Sequence, residues 1–126
     1  LIGTPFYAAY RASKAAVAAL GESLQIEVGA FGIRVVEIMP GPVATDMLAE
    51  SDRLPEGAQH PGYEDLAALM YEGRKGIEPM VTPAEEAAVA IREAILDDRA
   101  PLKHGCDPLG RQILDAWRAN PVAPSF

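Results

Sequence analysis

Cysteine, histidine and positive charge are scarce in this chain, and each shortage excludes a class of function. The single cysteine, Cys106, has no second thiol with which to form an internal disulfide. With His60 and His104 it offers too few suitably spaced ligands for a structural zinc site, so no metal is expected and Cys106 reads as an ordinary free thiol. Lysine and arginine number 11 against 18 aspartates and glutamates, a formal net charge of −7. That sign disfavours binding a phosphate backbone or an anionic membrane through bulk charge, so nucleic acid is not an expected partner. No apolar run approaches the roughly 18 to 20 residues of a membrane span, and the chain does not open on a charged segment followed by an apolar one and a cleavage site. The expected location is the cytoplasm. An initiator methionine is also missing: Leu1-Ile2-Gly3-Thr4-Pro5 starts in an apparent loop, which has the look of a fragment. Internal repeats, low-complexity tracts and linkers are absent.

What is present suffices for one globular domain. The chain has 126 residues, 49% of them hydrophobic, and a mean hydropathy of +0.04, which permits a sizeable core and argues against disorder. The stretch around which the rest is arranged is Tyr10-Arg11-Ala12-Ser13-Lys14. A tyrosine and a lysine four apart on a helix share one face and can act on one ligand. A phenol exchanges protons poorly at neutral pH, and a nearby cation favours its ionised form; Lys14 is placed to supply that cation. Both residue types are common, so the pair needs its context.

Taken in order, the chain reads as a long helix from Phe6, with Val17, Leu20, Leu24 and Val28 at helical spacing and alanines filling the rest of the face. Gly29 and Gly32 bracket Ala30-Phe31 and end it near Gly29. Ile33 to Met39 is rich in β-branched residues and is stopped by Pro40-Gly41-Pro42, so it is expected to be a strand. Helix, glycine turn and apolar strand make the second half of a βαβ unit, in which ligands bind beyond the strand's carboxyl end, where Pro40 to Thr45 falls. Residues 46–62 lose periodicity and read as a loop. Tyr63, Leu66, Ala67 and Met70 then mark a short amphipathic helix ended by Gly73 and Gly76. Residues 46–76 thus form either a lid over a substrate or an ordinary packed segment. Thr82-Pro83-Ala84-Glu85 carries a capping-box signature, with Thr82 as cap and Pro83 first in a helix to about Asp97. Its inner face is expected at Ala84, Ala88, Ile91 and Ile95. Pro101 to His104 reads as a short strand, and Pro108 to Arg118 as a last helix.

Together, Tyr10-Arg11-Ala12-Ser13-Lys14, Gly32-Ile33-Arg34-Val35 and Pro40-Gly41-Pro42-Val43-Ala44-Thr45 resemble the carboxyl-terminal half of the short-chain dehydrogenase/reductase family: its Tyr-x-x-x-Lys pair, the following strand and its nicotinamide-side loop. The resemblance covers Leu1 to about Met47. It implies an α/β fold, the carboxyl-terminal part of a Rossmann-like, doubly wound parallel sheet without its amino-terminal half, as a single partial domain over residues 1–126. It implies an NAD(P)-dependent oxidoreductase interconverting a carbonyl and a secondary alcohol by hydride transfer. Tyr10 would be the general acid/base, Lys14 would bind the nicotinamide ribose, and Pro40, Gly41, Pro42, Val43 and Thr45 would bind the carboxamide side of NAD or NADP. Phe6, Tyr7 and Met47 flank these positions and are candidates to line the substrate cavity. Leu48, Leu54, Leu66 and Met70 in the lid region point to an apolar substrate. The family's glycine-rich phosphate loop, Asn-Ala-Gly segment and catalytic serine have no match in the chain, so the choice between NAD and NADP stays open and residues 1–126 alone are expected to be inactive. Family members commonly pair through the long helix, which implies a homodimer or homotetramer. A truncated or binding-only relative is the alternative. A sugar epimerase or dehydratase shares the Tyr-x-x-x-Lys pair but fits the Pro-Gly-Pro-Val-Ala-Thr loop less well.

Overall fold

The computed structural model describes residues 4–50 and 53–121. Leu1, Ile2 and Gly3 of the entry loop, and Ser51 and Asp52 of the 46–62 segment, lie outside the described residues.

The alanine-rich run folds as helix α1, Ala8–Gly29. Gly32 then takes a φ of +72°, which glycine adopts without a Cβ penalty, and the chain turns there. It runs extended into strand β1, Glu37–Met39, and passes through the 40–45 loop into the short helix α2, Asp46–Glu50. A 3-10 turn at Glu56–Gln59 leads to helix α3, Glu64–Lys75, and a second at Glu78–Met80 to helix α4, Ala84–Leu96. Strand β2, Lys103–Gly105, and helix α5, Pro108–Ala119, complete the described chain. The strands pair in parallel with Glu37 opposite Lys103, Ile38 opposite His104 and Met39 opposite Gly105. A parallel pair requires a crossover, and residues 40–102 provide it. The fold is α/β with a small parallel sheet.

β1 is shorter than the expected strand over Ile33 to Met39. Continuing the register places Pro101 opposite Val35, and proline has no N–H for a ladder. The segment is held from its flanks instead. Val35 N donates to the Gln25 side-chain oxygen of α1 at 2.9 Å, and the Arg34 guanidinium donates to the carbonyls of Ala94 and Ile95 at 3.2 and 2.6 Å. Those carbonyls belong to the last turn of α4, where no intrahelical partner remains. On the sheet, Lys103 Nζ lies 2.8 Å from Glu37 of the neighbouring strand and 2.7 Å from Glu22 of α1, tying that helix to the strand pair.

Four further expectations are corrected. Residues 46–62 are not loop throughout, since α2 and a 3-10 turn occupy them. Gly73 lies inside α3, which stops only at Gly76. No capping box forms at α4: the N-cap residue is Pro83, without a side-chain hydrogen bond. The reason is that Thr82 is buried and its backbone bridges to Val43, accepting from Ala44 N and donating to Pro42 O, each at 2.9 Å. The helix therefore begins at Ala84, and its buried residues are Ala87 and Ala94, with Ala88 and Ile95 exposed. Among the described residues the buried apolar side chains are mostly small, Ala58, Ala67, Ala87, Ala94 and Cys106, with Leu114 the largest.

Candidate active site

The amino end of α1 is shaped by aromatic contacts. Tyr7 precedes the helix and its carbonyl accepts from Arg11 N at 2.8 Å. Phe6 holds a φ of +65°, unusual for a bulky residue and sustained only where the surroundings fix it. Its ring meets Tyr63 edge-on, with centroids 5.4 Å apart, which ties the entry of α1 to the start of α3. Tyr7 meets Tyr10 edge-on at 6.1 Å. Lys14 Nζ stands 5.3 Å from the centroid of the Tyr10 ring, within range of a cation–π attraction. Ser13 Oγ donates to the Tyr10 carbonyl at 2.7 Å and so is turned back along the helix. Tyr10 is 46% exposed, and its ring is open to an incoming molecule.

Residues 40–45 leave the carboxyl end of β1. Pro42 is buried, the bridge to Thr82 anchors Val43, and Thr45 starts α2 by accepting from Leu48 N and Ala49 N at 2.9 and 3.2 Å. The Thr45 hydroxyl is 3.4 Å from the Val43 carbonyl, a long bond that leaves it available. Thr45, with Ala44 and Leu48, lines one side of an open cavity of about 750 Å³ whose opposite wall includes Tyr71, Arg74 and Ile77. Arg74 spans the two sides by donating to the Leu48 carbonyl at 3.2 Å. Phe6, Tyr7, Tyr10, Lys14 and Met47 are not among the lining residues, and Met47 is 65% exposed. The structure thus assembles two groups, Tyr7-Tyr10-Lys14 and the Pro40 to Thr45 loop. Among the described residues no hydrogen bond or ring contact joins them.

One residue at this site escaped the sequence reading. Asp107 is 0% exposed. Its Oδ2 accepts from Gly41 N at 2.6 Å and its Oδ1 from Gly110 N at 2.8 Å, so it caps α5 and holds the 40–45 loop at once. The signal available was an aspartate directly before a proline at the start of a helix, which marks a cap but not its distant partner. Beside it, burial, followed by the charge of Asp107, pushes the Cys106 thiol above its ordinary range, so it stays protonated at neutral pH. Among the described residues no three His, Cys, Asp or Glu side chains converge as metal ligands, and no helix is long and apolar enough to cross a membrane.

A family profile described as short chain dehydrogenase matches residues 1–55, the segment that holds Tyr10, Lys14 and the 40–45 loop. The chain belongs to the short-chain dehydrogenase/reductase family. It is 46% identical over 91 residues to an uncharacterized NAD-dependent oxidoreductase of Mycobacterium tuberculosis, covering 72% of this chain and 32% of that protein. It is 36% identical over 93 residues to the NADPH-dependent 1-acyldihydroxyacetone phosphate reductase of Schizosaccharomyces pombe, covering 71% of this chain and 31% of the relative. A short-chain dehydrogenase of Penicillium ochrochloron is 28% identical over 117 residues, covering 93% of this chain and 41% of the relative. The chain therefore spans less than half the length of these curated relatives. No solved structure matches it.

Proposed function

We propose that this short-chain dehydrogenase/reductase chain is the carboxyl-terminal, catalytic part of an oxidoreductase that interconverts a carbonyl and a secondary alcohol, and that in the complete protein its strands belong to a doubly wound parallel sheet. The observation that carries the reading is the pairing of Tyr10 with Lys14 one turn apart on α1, with the ring exposed and the ammonium beside it. Tyr10 Oη gives a proton to the carbonyl oxygen during reduction and takes it back during oxidation. Lys14, whose ammonium stands beside the Tyr10 ring, supplies donors to the cofactor's ribose hydroxyls. The donor set suits that group: Lys14 offers N–H donors to a diol, and the available Thr45 hydroxyl can both donate to and accept from a carboxamide. A nicotinamide dinucleotide, NAD or NADP, supplies or accepts the hydride, in keeping with relatives named NAD-dependent and NADPH-dependent. Residues 46–76 serve as the lid, since Phe6 already joins them to the start of the catalytic helix. The substrate is a small, largely apolar carbonyl compound or alcohol, the location cytoplasmic, and the complete protein a homodimer or homotetramer. Residues 1–126 alone neither capture a dinucleotide tightly nor turn over, because they contain no glycine turn and helix N-terminus of the kind that holds a pyrophosphate.

The test is Tyr10→Phe in the complete protein, which removes only a hydroxyl. Turnover is expected to fall by about 100- to 10,000-fold, as for loss of a general acid/base, with cofactor affinity nearly unchanged. Lys14→Ala is expected to impair both. Near-normal turnover of Tyr10→Phe rejects the assignment, and unchanged cofactor affinity in Lys14→Ala rejects the ribose contact.

A further inference from the structure

We propose that Asp107 is a positioning residue for the 40–45 loop, setting the nicotinamide side of the site from the carboxyl-terminal helix 66 residues away in sequence. The inference rests on the functional reading above. In Pro40-Gly41-Pro42 both flanking residues lack an N–H, so Gly41 carries the sole backbone donor of the turn that leaves β1. Asp107 takes that donor at 2.6 Å with one carboxylate oxygen and binds the Gly110 amide at 2.8 Å with the other. Both bonds are charge-assisted, and a fully buried carboxylate is tolerable only when its oxygens are satisfied in this way. Among the described residues no lysine, arginine or histidine pairs with it. Capping α5 needs one side-chain oxygen, which a serine supplies; the second oxygen has no work in the helix and accepts from the loop at Gly41 N and, at 3.8 Å, from the Cys106 thiol.

The surrounding backbone is packed to suit. A Cβ on Gly41 would lie 2.5 Å from Asp107 Oδ1, and one on Gly110 would lie 2.7 Å from the Met39 carbonyl and 2.8 Å from Asp107 Oδ2. The last residue of β1, the turn and the first turn of α5 therefore touch main chain to main chain, with the Asp107 carboxylate bonded between them. This clamp fixes the β1 end of the loop at Gly41, while the Thr82 bridge holds Pro42 and Ala44 from the other side, so loosening the clamp displaces the nicotinamide side of the loop at its root without touching Tyr10 or Lys14.

The experiment is Asp107→Ser in the complete protein, with Asp107→Asn alongside. Serine keeps a cap for α5 but has a single, shorter-reaching oxygen, so the Gly41 amide loses its acceptor. The expected results are a folded protein, faster hydrogen exchange at the Gly41 amide, and a cofactor Kd and KM raised about tenfold or more, the scale of one hydrogen bond to a charged group, with kcat changed less. Asparagine presents an N–H₂ to one of the two amides and is expected to show the same pattern; if the serine variant does not fold, asparagine is read by the same criteria. A folded variant with wild-type Gly41 exchange and wild-type affinity for both NAD and NADP overturns the inference while leaving the function intact. A wild-type protein that turns over with neither cofactor removes the functional reading and this inference with it, even if Gly41 exchange confirms the clamp.

Discussion

Helix α1 and the β2–α5 corner are built in opposite ways. α1 carries both residues on which the proposed chemistry rests, yet its 22 residues include no buried one. The corner contributes no motif, yet Gly105, Cys106 and Asp107 are buried in succession and Gly110 and Leu114 follow. The difference teaches that chemical legibility and packing are separate properties of a chain. A catalytic pair must face a ligand, and its helix can be recognised from exposed side chains at fixed spacing. A close-packed corner is made of residues with little side chain to recognise.

The sharpest way to break the comparison is to place the same methyl group in two regions. At Gly105 an added Cβ would stand 2.5 Å from Arg111 N and 2.8 Å from Arg111 Cα, both main-chain atoms that cannot rotate away. Gly105→Ala is expected to lower stability by about 1 to 3 kcal/mol or more, because β2 and α5 must separate to admit it. Gly73 lies in the interior of α3 with nothing within 4 Å of an added Cβ. There Gly→Ala is expected to raise stability by about 0.5 to 1 kcal/mol through helix propensity alone. Urea unfolding of both variants decides it: shifts of the same sign would mean that the corner is not packed as described.

How much of this could be read beforehand follows the same division. The Tyr10 to Lys14 turn, the end of α1 near Gly29, the parallel strand at Met39 and the last helix at Pro108 were legible, because each is written in local spacing or in a glycine or proline with a local consequence. The shortening of β1 was not, since it depends on Pro101 lying opposite Val35 across a register no local pattern encodes. The capping box failed for a like reason: Thr82 has the right neighbours, but the Val43 backbone across the fold claims its own. The buried face of α4 is made of alanines, which a hydrophobic pattern ranks below the exposed Ile95. Asp107 shows the limit most plainly: the Asp-Pro pair at the start of α5 could have marked a cap, but nothing in the sequence marks its bond to Gly41.

A second prediction joins the two regions, since Lys103 of β2 pairs with Glu37 of β1 and with Glu22 of α1. Burial alone pulls the Lys103 ammonium down, but the two carboxylates outweigh it and its pKa is raised above the ordinary 10.5. A folded-state value above the unfolded one means that the contribution to stability is fully present below about pH 10.5 and is lost as pH rises through the raised value. Lys103→Met is therefore expected to be less stable than wild type below that range by about 1 kcal/mol or less, with the gap narrowing above it. Taking the difference between the two urea midpoints as pH is raised cancels every pH effect that the two proteins share. A gap that widens with pH would show that the ion pairs do not hold α1 to the sheet.

The smallest expected effect tests the exposed side of the comparison. Ile26 is 81% exposed on α1, so little apolar surface leaves water when this helix packs on residues 33–37, and a polar residue there loses almost nothing. In residues 1–126, Ile26→Gln is expected to change stability by no more than about 0.5 kcal/mol, the range of surface substitutions, and glutamine is at least as good a helix former as isoleucine. The same reasoning fails if another surface covers Ile26, because burying an isoleucine contributes about 1.5 to 3 kcal/mol that glutamine forfeits. Unfolding midpoints for wild type and Ile26→Gln, measured at several protein concentrations, separate the cases. A loss above about 1 kcal/mol that grows with concentration would place a second copy of the chain on α1, and a loss of that size independent of concentration would mean that α1 is packed within the monomer. Either result would end the contrast with α5, because α1 would then be held by buried apolar area as well as by the polar contacts of Glu22 and Gln25.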